Sequence, residues 1–113
     1  MELDDKTIKE QIEKSFATNV KILDYSFSPE HLSVKLEVDA EGLPTNRFRI
    51  IYSKRADTTS IIFIESKGNT EEPKVVAGID SEFLKILNWL TYSICGAFAR
   101  LHELYLSMQQ GGT

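Results

Sequence analysis

From Leu32 to Asp39 the chain alternates with a period of two. Leu32, Val34, Leu36 and Val38 fall on one side, and Ser33, Lys35, Glu37 and Asp39 on the other. This predicts a half-buried strand over 32–38. A strand over 20–28 precedes it. Leu23, Tyr25 and Phe27 share one face with Lys21 at its edge, and Asp24 lies on the other face with Ile22 and Ser26. Ser28-Pro29-Glu30 supplies the turn between them. A third strand is expected over 47–53, with Phe48, Ile50 and Tyr52 opposite Arg47, Arg49 and Ile51. The run Ile61-Ile62-Phe63-Ile64 predicts a fourth strand over 60–66 whose two faces are both apolar. A fifth, short strand is expected over 74–77, and Gly68-Asn69 reads only as a turn.

The period changes at both ends of the chain. Ile8, Ile12 and Phe16 recur every fourth residue and predict a short helix over 5–16, capped by Asp4 or Asp5. Residues 81–108 predict one long helix, capped by Asp80 or Ser81. Phe83, Leu87, Leu90, Ile94, Ala97, Leu101, Leu104 and Met108 follow spacings of four and three, a heptad seam. Leu84, Cys95, Phe98 and Tyr105 form a second row, and Trp89 and Tyr92 widen it. Gly96 is the weak position, because glycine costs about 1 kcal/mol relative to alanine in a helix interior. The expected fold is α+β: a short N-terminal helix, an antiparallel meander of four or five strands, and a long C-terminal helix packed on the sheet. Residues 1–113 read as a single domain, with 1–4 and 109–113 frayed.

A 28-residue helix is about 42 Å long, and an eight-residue strand about 26 Å. The helix should therefore overhang the sheet with an apolar seam, and the fourth strand should keep one apolar face uncovered. Surplus apolar surface marks an interaction site. These considerations predict a homodimer, with Leu90, Ile94, Ala97, Leu101, Leu104 and Met108 at the oligomer interface. The alternative is a bend at Gly96 that buries everything within a monomer.

The 113 residues carry a net charge of −4 and 42% hydrophobic residues, which suits a folded chain and not a disordered one. A single cysteine excludes an internal disulfide and a cysteine-based zinc site. No uncharged apolar run is long enough for a membrane span, and the acidic start lacks a signal-peptide core. The expectation is a small acidic protein of a reducing, cytoplasmic compartment, without membrane partners and of host or viral origin alike.

Charge is uneven: residues 1–41 carry −5, 42–70 carry +3 and 71–113 carry −2. The central excess includes Arg47, Arg49, Lys54 and Arg55, expected as a partner-binding patch on the outer face. Such a basic hairpin fits an acidic protein surface or, as an alternative, phosphates of nucleic acid. The acidic total argues against strong non-specific DNA binding.

Candidates for chemistry are few. His31 and His102 lack metal-ligand spacing, and Cys95 has no charged residue within four positions to activate it. A ligand-binding or enzymatic cavity between sheet and helix would draw on Asp24, Tyr25, His102 and Tyr105. There is no phosphate loop, no nucleophile elbow and no calcium loop. No cofactor and no metal is expected. The residues predict a non-enzymatic, homo-oligomeric protein-binding module of chaperone, inhibitor or assembly-factor type. It would work by burying an apolar segment or adding a strand at a sheet edge.

Overall fold

A computed structural model describes residues 3–111. Its elements run α1 (Asp5–Ser15), β1 (Val20–Ser28), β2 (His31–Val38), β3 (Arg47–Ser53), β4 (Thr58–Lys67), β5 (Thr70–Pro73) and α2 (Ser81–Gly111). The five strands form one open antiparallel sheet in sequence order. Both helices cover one face of it, as an α+β meander requires.

Asp4 Oδ1 accepts the Thr7 N–H at 2.8 Å, and Asp80 Oδ1 accepts the Phe83 N–H at 2.8 Å. Each carboxylate satisfies a donor that the first helical turn leaves free. Leu3 packs against the core, and Gln109 and Gln110 continue α2. Met1, Glu2, Gly112 and Thr113, also expected to fray, lie outside the described residues.

Leu32, Val34, Leu36, Val38, Phe48 and Ile50 point inward from β2 and β3 and are sealed from water. Phe83 meets Phe48 and Phe63 at ring separations of 6.0 and 5.4 Å, while Phe98 meets Tyr52 and Phe27 at 4.9 and 6.0 Å. These contacts run α2 along β3, from the Phe48 end to the Tyr52 end. Beyond it, the last turns of α2 lie beside the start of α1 and the Ser28-Pro29 turn, where Leu3, Ile8, Phe27 and Tyr105 line one cleft.

Three expectations need correction. In β1, Ile22 pairs with Leu36 but Asp24 pairs with Lys35, so the register slips at Leu23. This β-bulge inserts one residue and reverses the alternation. Val20 and Ile22 therefore join Tyr25 and Phe27 against the core, while Lys21 and Asp24 turn to the outer face. The fifth strand is Thr70–Pro73 and not 74–77. Gly68 adopts φ +63°, and the two-residue Gly68-Asn69 loop pairs Lys67 with Thr70. Turn geometry thus sets the register ahead of apolar content.

The third correction concerns the helix seam. Leu90, Ile94, Ala97 and Leu101 are fully buried inside this chain, so they are core and not an oligomer interface. Leu104 and Met108 are half-buried. At 31 residues α2 is about 46 Å long and outruns the strands, but α1 and the β1–β2 turn extend the surface on which it rests. The helix also runs unbroken through Gly96.

Candidate interaction surfaces

The outer sheet face carries the basic residues and also their neutralisation. Arg47 Nε donates to Glu37 at 3.1 Å, and Arg47 Nη1 lies 3.7 Å from Glu71 and donates to Ser66 at 3.2 Å. Arg49 donates to Ser33 at 2.9 Å and lies 3.6 Å from Asp24. Lys35 is bonded to Glu71, and this hydrogen bond, foremost among the causes, holds the Glu71 carboxyl below its usual pKa. Three cations therefore face Asp24, Glu37 and Glu71, which leaves little field for a phosphate backbone. Lys54 and Arg55 are exposed in the Ser53–Thr58 turn, at the opposite end of β3 from Arg47. The four expected patch residues thus divide into a neutralised pair and a separate pair at the hairpin tip.

The chemical candidates also separate. Asp24 sits on the outer face, whereas Tyr25 points inward and donates to Asp5 Oδ1 at 2.7 Å. That bond, reinforced by burial, pushes the Tyr25 phenol up to about 12. His102 stacks on Phe98 at 5.4 Å. Tyr105 lines the 340 Å³ cleft with Leu3, Ile8 and Phe27, apart from Asp24. His31 is held by Ser28 Oγ, 2.7 Å from Nδ1, and the same hydroxyl accepts the Glu30 and His31 N–H groups. Cys95 lies 3.6 Å from Thr59 Oγ1. Among the described residues no group of three His, Cys, Asp or Glu side chains is placed to hold a metal. No described helix is long and apolar enough to cross a membrane.

What remains distinctive is a strand edge. β5 pairs with β4 only from Ile64 to Lys67, followed by the Lys74 N–H to the Phe63 carbonyl at 2.8 Å. The Ile64 carbonyl instead accepts Thr45 Oγ1, on the β3 side. By alternation, Thr59 and Ile61 direct their N–H and C=O groups away from β3, in phase with Phe63. Among the described residues no strand pairs with Thr58–Phe63 on that side.

The other edges are guarded, as native sheets require. β1 has its bulge, Lys21 and Asp24; β5 has Glu71, Glu72 and Pro73. Thr58-Thr59-Ser60-Ile61-Ile62-Phe63 has no charge, no proline and no register slip. Its outer face presents Ile62, 38% exposed, while Ile64 beside it is buried. The segment after Lys74 adds Val75, 93% exposed, and Ile79, followed by Leu84 on the first turns of α2. The apolar run of β4 is visible in sequence, but the point where β5 stops is not; the signal on offer is seven consecutive uncharged residues, Thr58–Ile64.

No protein-family model, curated protein or solved structure matches this chain.

Proposed function

We propose that the protein is a non-catalytic binding module that self-associates and takes up an extended segment of a partner protein by strand addition along β4. The observation that supports this most directly is the uncharged edge Thr58–Ile62, which among the described residues no strand pairs beyond β3, in a sheet whose other edges are blunted. An added strand would bond to Thr59 and Ile61 through main-chain groups and place alternate side chains beside Ile62. Main-chain pairing supplies affinity with little sequence demand, so selectivity would come from the side chains that meet Ile62 on the outer face.

Peptides selected from a random extended library on the immobilised protein provide the test. Bound peptides should slow hydrogen exchange at the Thr59 and Ile61 amides. Thr59→Pro removes an outward donor, leaves the β3 ladder intact and should abolish capture. Peptides that bind Thr59→Pro as well as the parent, or that leave both amides unprotected, would refute strand addition.

A further inference from the structure

We infer that a second copy of this chain docks on the outward arc of α2, antiparallel to the first and centred near Tyr92. This gives a surface to the self-association proposed above and does not depend on strand capture. Residues 86–99 contain no charged side chain over fourteen consecutive positions. The inward half of that stretch is core, yet its outward half is open. Tyr92 is 79% exposed, and Asn88 and Ala99 are exposed along the same arc. Four uncharged turns capped by an exposed tyrosine match the centre of a protein interface, where charge is depleted and aromatics are enriched. α1, in the same layer, presents Lys6, Glu10 and Lys14 outward, as a polar rim would.

Charge selects the occupant and its direction. Along the arc the uncharged stretch follows Lys85 and, beyond Arg100, which reaches sideways to Ser15 of α1, meets Glu103. Among the described residues Glu103 forms no ion pair, and Lys85 meets only the exposed Glu82 at 3.1 Å. An antiparallel pair that sets Lys85 against the second copy's Glu103 satisfies both such contacts at once, by two-fold symmetry. The same register sets Tyr92 over Gly96 of the second copy. A Cβ built at Gly96 meets only the Arg100 guanidinium, at 3.7 and 3.9 Å. The glycine therefore leaves a shallow seat for the ring, with a cation beside it.

Sedimentation equilibrium across a concentration series tests this. The parent chain should have twice the monomer mass at micromolar concentration. Tyr92→Glu should weaken association by about thirtyfold or more, the scale of a central aromatic contact, without changing the melting temperature of dilute protein. Ala99→Glu on the same arc should act alike. Lys85→Glu and Glu103→Lys should each weaken the dimer, and the double exchange should restore it. A monomeric parent overturns both self-association and this surface. A dimer indifferent to Tyr92→Glu and Ala99→Glu overturns the surface alone, and failure of the exchange to restore overturns the antiparallel register. Thr59→Pro should leave the mass unchanged; its dissolving the dimer would place the second copy on β4 instead.

Discussion

Gly96 stands midway along α2 and offers a quantitative test of how that helix is built. Replacing it with alanine adds one methyl group. Its nearest neighbours are Arg100 Nη2 at 3.7 Å and Nη1 at 3.9 Å, which is ordinary van der Waals contact. No steric cost therefore opposes the gain in helix propensity of about 1 kcal/mol, which arises chiefly from restricting the unfolded chain. For a chain of this length that corresponds to a rise of about 4 °C in Tm. Circular dichroism melts of dilute Gly96→Ala, with urea titration as an independent measure, should show it. Arg100 also donates to Ser15 Oγ on α1, so the same substitution in an Arg100→Ala background separates propensity from a displaced contact. The gain should persist there. A lower Tm in both backgrounds would refute the reasoning, because it would mean that the backbone at Gly96 needs a conformation or an approach that a methyl group blocks.

Three further outcomes follow from the core, a cap and a titration. Phe48→Ala empties a fully buried site ringed by Phe63 and Phe83; it should cost about 3–5 kcal/mol, a large share of a typical domain's 5–15 kcal/mol or so, read by urea denaturation. Asp80→Ala removes the acceptor for the Phe83 N–H and should cost about 1 kcal/mol, whereas Asp80→Asn should keep most of it. The Tyr25 phenol is raised to about 12 by its bond to Asp5, so the neutral form is favoured by folding. Its stabilising effect is complete below the ordinary phenol pKa near 10 and is lost as pH rises through about 12. Phenolate absorbance should show this late titration, and Asp5→Ala should bring it back toward the ordinary range.

Much of the architecture is legible in the residues because burial and period coincide. β2 is recognisable from strict alternation, and α2 from a seam whose spacing admits no strand. The places where the reading fails share a cause: a local geometric event that composition does not record. One extra residue at Leu23 reverses which side chains of β1 face inward. A glycine with positive φ fixes a polar fifth strand in place of the apolar stretch that follows it. The seam of α2 is apolar to its end, but periodicity reports only that a face is covered and not by what. Here the cover is the chain's own sheet and α1, which leaves the opposite arc around Tyr92 as the open side of the helix. The Arg47–Arg49 patch fails similarly. Basic residues are visible in one segment, whereas the acids that neutralise them come from β1, β2 and β5.

The packing of α1 against α2 has a kinetic consequence. Every strand pairs with its neighbour in sequence, so the meander can zip up one hairpin at a time with short closures. The helices belong to opposite ends of the chain, and Ser15 and Arg100 meet across 85 residues. Their union is a buckle that closes a far longer loop than any hairpin of the meander. Loop-closure entropy grows only logarithmically with length, so lengthening the exposed Lys54–Asp57 turn loosens that buckle very little.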